Sequence, residues 1–151
     1  MEIKEFKELG LRVRDIAKGL IDLSKNAYTP YSKFGVAACI IDSQGNLHYG
    51  VNCETANYDG TCAETMAVGN YVFGGRKGIK TIVVYGASIE GEPISGAFTT
   101  PCGRCRQRLF EHATPDAQVI CIEQTGERAQ VFTMGELIPY PFGPEDLGLS
   151  K

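Results

Sequence analysis

The sequence predicts an α/β fold, in which helices pack on a sheet, within a single domain over residues 1–151. Apolar residues recur at helical spacing in some segments and fill short runs of strand length in others. Along the chain these segments follow the order helix, hairpin, helix, strand, helix, strand, which is typical of a sheet covered by helices. A length of 151 residues and a hydrophobic content of 43% fit one globular domain with a sizeable core.

The first half of the chain is predicted to hold one helix and one hairpin. Apolar residues at helical spacing run from Leu9 to Ala27, and the following Thr29-Pro30 ends the helix. Phe34 to Ile41 is a mostly apolar strand, and Leu47 to Val51 returns as the second arm of the hairpin. The residues between the two arms, 42–46, have the composition of a turn.

The second half is predicted to alternate helices and strands. Its elements are a helix from Cys62 to Phe73, a strand from Lys80 to Ala87, a helix from Gly103 to His112, and strands from Gln118 to Ile122 and from Ala129 to Phe132. Only the six residues from Glu123 to Arg128 separate the last two strands, whereas a parallel crossover needs about a dozen or more. We therefore expect these two strands to be antiparallel.

The charge of the chain indicates a small substrate rather than a polyanion. Net charge is −3 and the pI is about 5.4, so no positive surface for nucleic acid is expected. The charged start, Met1 to Leu9, has no signal-peptide core, and no apolar run reaches the length of a membrane span. Six cysteines without a signal peptide suggest a reducing compartment, so we expect a cytoplasmic protein with no membrane or nucleic-acid partner.

Two short motifs combine three cysteines with one carboxylate. A Cys-Ala-Glu motif comes first, and a Pro-Cys-Gly-Arg-Cys motif follows after room for a strand. Both lie at predicted helix starts, where the partial positive charge of the helix stabilises thiolates. Three protein ligands and an open fourth position are typical of catalytic zinc. The motifs therefore predict a Zn²⁺ site with Cys62, Cys102 and Cys105 as ligands and Glu64 as proton carrier.

Two non-catalytic interpretations of these cysteines are open at this point. A closed structural zinc site would need a fourth ligand, for which Cys53 is the nearest candidate. A redox pair of Cys102 and Cys105 would leave Cys62 and Glu64 without a role. Because a structural site has no use for the carboxylate, we favour the catalytic zinc site.

Three further segments accompany the zinc motifs. They are Tyr31-Ser32-Lys33-Phe34-Gly35-Val36, Asn52-Cys53-Glu54, and the tail with Leu137-Ile138-Pro139, Phe142-Gly143-Pro144 and Asp146-Leu147. With these segments the chain resembles, from about Leu11 to Leu147, the zinc-dependent cytidine deaminases that act on free nucleosides. The resemblance implies a three-layer fold with a mixed five-stranded sheet, helices on both faces, and the last two strands antiparallel.

The resemblance also implies a reaction and a set of substrate contacts. Cytidine and deoxycytidine would be deaminated hydrolytically to uridine and deoxyuridine, with release of ammonia, by a zinc-bound hydroxide and with Glu64 as proton shuttle. The nucleoside would be bound by Phe34, Asn52, Glu54, Ala63 and Phe142. In a homotetramer, Phe142 would cover the base from a neighbouring subunit. The alternatives are turn or surface positions for Asn52 and Glu54, core packing for Phe34, and anchoring of the tail for Phe142.

One position beside the zinc motif departs from the family pattern. Thr65 directly follows Glu64, where most members with three cysteine ligands have an arginine. Arg104, between the two later ligands, is expected to compensate the thiolate charge instead. This combination resembles blasticidin S deaminase, so deamination of a modified cytosine nucleoside or a nucleoside antibiotic is an alternative function. A non-catalytic zinc-binding module is the alternative from another class.

Overall fold

One mixed sheet of six strands forms the centre of the computed structural model, which describes residues 1–149. The strands are β1 (Glu2–Glu5), β2 (Phe34–Asp42), β3 (Leu47–Val51), β4 (Ile79–Ser88), β5 (Ala113–Ile122) and β6 (Arg128–Thr133). They lie in the order β1-β6-β5-β4-β2-β3. β4 and β5 are parallel, and the other neighbouring pairs are antiparallel.

Helices cover both faces of this sheet. They are α1 (Leu11–Leu23), α2 (Ala63–Phe73), α3 (Gly103–Phe110) and the short α4 (Met134–Leu137). Successive side chains of β2 point to opposite faces, so Cys39 packs in one apolar cluster with Leu20 of α1, whereas Ile40 packs in another with Ala67 of α2. Three layers result, with α2 and α3 on the face opposite α1. Within residues 1–149, no helix has the length and apolar composition that crossing a bilayer requires.

The expectation of a five-stranded sheet is wrong, because β1 adds a sixth strand. β1 is antiparallel to β6, with Glu2 opposite Val131 and Glu5 opposite Arg128. The segment consists mostly of charged, exposed residues, so it has no apolar pattern that would identify a strand. Its extended conformation depends on pairing with the edge of β6, whose backbone groups would otherwise be unpaired.

The other predicted elements agree in type and differ at their ends, whereas the short α4 has no counterpart in the prediction. A 3₁₀ turn over Ser24–Asn26 follows α1, which therefore stops before the expected end. β5 begins at Ala113 rather than at the predicted Gln118. The prediction started too late because the polar Thr114-Pro115-Asp116 has the composition of a turn, whereas in the structure it is extended. The prediction that the last two strands, β5 and β6, are antiparallel is confirmed.

The sheet brings the starts of α2 and α3 to the same end of its strands. Val51 of β3 and Tyr85 of β4 both lie opposite Ala37 of β2. β3 and β4 therefore run in the same direction, and their carboxyl ends lie on the same side of the sheet. α2 follows β3, and α3 follows β4 as the crossover that the parallel pair β4 and β5 requires.

A buried carboxylate fixes the loop between β4 and α3. Glu123, directly after β5, is fully buried and accepts hydrogen bonds from Arg128, Thr125 and the backbone N–H of Gly96. The hydrogen bond from Arg128 is the main cause that lowers the pKa of Glu123 to about 2. Because Gly96 lies in the loop that leads to α3, Glu123 holds this loop against the end of β5.

Replacing Glu123 by Gln should lower the free energy of unfolding near neutral pH, and the loss should shrink in acid. The folded-state pKa of about 2 lies below the ordinary value of 4.5, so the stabilisation is complete above the ordinary value. It is lost as the pH falls through the folded-state value. Urea unfolding of both proteins from about pH 7 to about pH 3 measures the difference. A difference that does not change with pH would contradict the expectation.

Candidate active site

Three thiols converge where α2 and α3 begin. Cys62 immediately precedes α2, Cys102 immediately precedes α3, and Cys105 lies in the first turn of α3. Their Sγ atoms all lie within 4.8 Å of one another, and none of the three is in a disulfide. A Zn–S distance of about 2.3 Å in a tetrahedral site corresponds to sulfur atoms about 3.8 Å apart. The cluster therefore fits a zinc ion with small side-chain adjustments, and three thiolates are the soft donors that zinc favours.

The surroundings of the three sulfur atoms differ. Cys105 is buried, and burial raises the pKa of its thiol. Burial also opposes ionisation of Cys102, but hydrogen bonds, led by the backbone of Cys105, outweigh it and lower the pKa of Cys102. Arg104 Nη2 lies 3.7 Å from Cys62 Sγ and 3.2 Å from the carbonyl oxygen of Gly60. The predicted charge-compensating arginine thus contacts one of the thiols directly.

Glu64 lies beside this cluster in an enclosed position. It belongs to the first turn of α2, only 4% of its surface is exposed, and burial raises the pKa of its carboxyl. It lines a cavity of about 160 Å³ together with Cys62, Cys102 and Ala63. A buried carboxyl with a raised pKa can hold a proton and release it to a bound molecule. We call this cavity the inner cavity.

A second cavity of about 460 Å³, which we call the outer cavity, adjoins the first. The two share Asn52 and Cys62 in their linings, and Tyr31, Glu54 and Tyr58 line the outer one. Together they have the size of a small-molecule site. Neither lining contains a lysine or arginine among the described residues. The negative charge of Glu54 in the outer lining disfavours a ligand group of like charge beside it.

Asn52 and Glu54 fix the backbone that surrounds the cavities. The Asn52 side-chain amide donates to the carbonyl of Phe34 over 2.9 Å and accepts from the N–H of Val36 over 2.7 Å. One carboxylate oxygen of Glu54 accepts the N–H groups of Tyr31 and Ser32. Hydrogen bonds, of which the one from the Ser32 side chain is the largest cause, lower the pKa of Glu54. Both residues therefore have a structural role whatever they contact in a ligand.

Comparison with known proteins identifies the family. The sequence pattern of the cytidine and deoxycytidylate deaminase zinc-binding region matches residues 13–122. The chain belongs to this family. It is 39% identical over 121 residues to a cytidine deaminase of Mycoplasma pneumoniae, covering 79% of this chain and 85% of that protein. The cytidine deaminase of Sporosarcina psychrophila is 34% identical over 137 residues, covering 88% and 95% of the two chains. A solved cytidine deaminase from Burkholderia pseudomallei shares 32% identity at a TM-score of 0.66, covering 83% of this chain and 98% of that one.

Family membership and the cysteine cluster together confirm the prediction of a zinc cofactor. When bound, the ion would be held by Cys62, Cys102 and Cys105. Cys53 lies outside the set of thiols that could hold a metal ion among residues 1–149. The alternative of a closed site with Cys53 as fourth ligand therefore has no support in the geometry.

The structure brings only some of the predicted substrate contacts to the cavities. Ala63 and Asn52 line the inner cavity, and Asn52 and Glu54 line the outer one. Phe34 and Phe142 line neither cavity. Phe142 is 63% exposed, and its carbonyl accepts a hydrogen bond from the side chain of Gln107 on α3. Within one chain, the tail is thus held on α3 and the Phe142 side chain remains largely exposed outside both cavities.

Several residues of the site were not predicted from the sequence. Val36, Thr99 and Thr100 complete the wall of the inner cavity. Thr99 and Thr100 directly precede the second zinc motif, and this adjacency could have identified them. Arg108 donates a hydrogen bond to Thr65, beside the catalytic candidate Glu64. No local pattern connects Arg108 with Thr65, because 43 positions separate them.

Replacing Cys105 by Ser should abolish tight zinc binding. The change removes a thiolate ligand, whereas Cys53→Ser removes a thiol outside the cluster and should leave about one zinc per chain. Metal analysis of the two purified variants, with circular dichroism as a check of folding, measures the outcome. Loss of zinc from Cys53→Ser would instead indicate a closed, structural site.

Proposed function

We propose that this protein deaminates cytidine and deoxycytidine by hydrolysis, giving uridine and deoxyuridine with release of ammonia. The observation that carries the proposal is the carboxyl group of Glu64, buried beside three thiols in a cavity that opens to the surface. A structural zinc module would have no use for this carboxyl. The relatives from Mycoplasma pneumoniae and Sporosarcina psychrophila are named cytidine deaminases, and so the blasticidin S alternative is not favoured.

The residues of the site divide the reaction between them. When bound, zinc would lower the pKa of a coordinated water and so supply a nucleophile near neutral pH. Glu64 accepts a proton from the attacking water and delivers it to the substrate ring and to the leaving amine. In the net reaction a C–O bond forms and the C–N bond at C4 of the ring breaks. Ala63, which lines the inner cavity, supports the edge of the base.

The residues of the outer cavity bind the ribose. One oxygen of the Glu54 carboxylate already accepts two backbone N–H groups, so the other is the acceptor for a ribose hydroxyl. The Asn52 amide has one further hydrogen beyond the one it gives to Phe34, and this hydrogen can be donated to the sugar. Phe34 supports the sugar indirectly, because its carbonyl orients Asn52.

The free nucleoside, rather than its 5′-phosphate, is the proposed substrate. The family name includes deoxycytidylate deaminases, so this distinction must come from the site. Glu54 places a negative charge in the outer cavity, and neither cavity lining has a lysine or arginine among the described residues. A phosphate placed beside Glu54 would meet a like charge, and such like-charge contacts cost several kcal/mol.

A homotetramer is the proposed assembly of this single-domain chain. Phe73 is 94% exposed at the end of α2, and Tyr140 and Phe142 are exposed in the tail. Exposed apolar side chains of this size indicate a surface that another copy covers. Phe142 is held outside its own cavities, so it is available to close the site of a neighbouring subunit. Six free cysteines fit a reducing, cytoplasmic location.

Replacing Glu64 by Gln should reduce cytidine turnover by at least about 10²–10⁴-fold while zinc content and fold are retained. An amide cannot accept and return a proton, although it has the shape of the carboxylate. The matched control is Glu92→Gln, which neutralises an exposed carboxylate in the loop after β4. An ultraviolet assay of deamination measures both variants, and near-native turnover by Glu64→Gln would refute the assigned role.

The same assay on the unmodified protein tests the substrate. Cytidine and deoxycytidine should be converted, and deoxycytidylate should have a kcat/KM lower by at least about tenfold. Equal conversion of the nucleotide would contradict the argument from Glu54, and preferred conversion of blasticidin S would favour the alternative function.

Replacing Phe142 by Ala should raise KM by about tenfold or more if the residue covers the base in a neighbouring subunit. Burial of a phenylalanine side chain contributes about 1.5–3 kcal/mol, and about 1.4 kcal/mol corresponds to tenfold. Leu11→Ala removes an exposed side chain from α1, on the opposite face of the sheet, and serves as control. Light scattering should give the mass of a tetramer. A fully active monomer would refute both claims, and an unchanged KM in a tetramer would refute the role of Phe142.

A further inference from the structure

The hydroxyl group of Thr65 lies between an arginine and a thiol of the zinc cluster. Arg108 Nη1 donates to Thr65 Oγ1 over 2.8 Å, and the same oxygen is 3.7 Å from Cys105 Sγ. Thr65 belongs to α2, whereas Arg108 and Cys105 belong to α3. We propose that Arg108 and Thr65 form a relay that donates a hydrogen bond to the sulfur of Cys105. The inference rests on the proposed function, because it requires Cys105 to be a metal ligand.

The direction of the relay follows from the donors and acceptors present. A guanidinium group has only donors, so Arg108 must occupy a lone pair of the Thr65 oxygen. The hydroxyl hydrogen is then free to point elsewhere. A cysteine that ligates a metal is a thiolate and can only accept, so Thr65 donates to Cys105. A hydroxyl that already accepts from a cation is polarised and is a stronger donor than an isolated one.

The relay and Arg104 serve different sulfur atoms. Arg104 and Arg108 are four residues apart on α3 and therefore lie on one face of the helix. Arg104 reaches Cys62 directly over 3.7 Å. Arg108 reaches the buried Cys105 only through Thr65. One arginine of α3 thus contacts a thiol of the cluster directly, and the other is linked to a second thiol through Thr65.

The consequence of the relay is a metal site that keeps its Lewis acidity. Three thiolates around Zn²⁺ give a formal charge of −1, which weakens the polarisation of a bound water. A hydrogen bond to a thiolate withdraws electron density from its sulfur, so the sulfur donates less to the metal. Thr65 and Arg108 are therefore positioning residues, which act on the reaction through Cys105 without touching the substrate.

Cobalt substitution tests the relay without reference to activity. Co²⁺ bound by thiolates shows a sulfur-to-metal charge-transfer band, whose energy reports the electron density on sulfur. Four variants are compared as Co²⁺ proteins with the wild type. They are Thr65→Val, Thr65→Ser, Arg108→Gln and the double variant Thr65→Val/Arg108→Gln. Lys18→Gln, on the opposite face of the sheet in α1, is the control for loss of one positive charge.

Thr65→Val should move the band to lower energy, because the sulfur loses its hydrogen bond, and Thr65→Ser should keep the wild-type position. Arg108→Gln should shift the band in the same direction by a smaller amount. The band of the double variant should have the same energy as that of Thr65→Val alone, because Arg108 can affect the sulfur of Cys105 only through the hydroxyl of Thr65. An unmoved band in Thr65→Val, or additive shifts in the double variant, would overturn the relay. If Thr65→Val does not fold, Arg108→Gln with an unmoved band overturns it.

Kinetics and metal affinity complete the test. Thr65→Val should lower kcat or zinc affinity by about tenfold, the lower end of what partners of metal ligands contribute, with KM little changed. Lys18→Gln should behave as the wild type. A wild-type Co²⁺ protein without any charge-transfer band would refute the thiolate site and the proposed function with it. A normal band that no variant moves would refute the relay alone.

Discussion

The structure depends on one constraint, which is that two helices must begin side by side at the carboxyl ends of β3 and β4. Because β3 and β4 run in the same direction, α2 and α3 start side by side and bring Cys62, Cys102 and Cys105 together. Close packing of α2 on β3 is part of this arrangement. A side chain at Gly50 of β3 would collide with the backbone of Ala63, next to the candidate catalytic carboxyl. The sheet thus determines the position of the site before any ligand binds.

The concentration of acidic groups at that point explains much of the local chemistry. Three thiols and the buried Glu64 share a small volume, and burial by itself disfavours their ionised forms. The starts of two helices, the guanidinium of Arg104 and the hydroxyl of Thr65 each offset part of this cost. The positive groups come from the helix surface rather than from the cavities, so the linings remain suited to a neutral nucleoside.

Residues expected to contact the sugar also hold the wall that the sugar would touch. Asn52 connects β2 to the segment after β3, and Glu54 holds the backbone at Tyr31 and Ser32. Side chains that are fixed by two hydrogen bonds lose little further freedom when a ligand binds, which favours affinity. The loop from β4 to α3 is held in the same way by Glu123 on its other side.

The sequence by itself determined the features that depend on neighbouring residues. These are the apolar runs of β2 to β6, the short turn that makes β5 and β6 antiparallel, and the zinc motifs with Glu64. The tertiary structure alone decided the rest. β1 is a strand only because β6 offers it an edge, since its four charged or exposed residues carry no pattern. The contact of Arg108 with Thr65 and the position of Phe142 outside the cavities depend on how α2, α3 and the tail pack. Local patterns define elements, whereas contacts between distant residues exist only after those elements have packed.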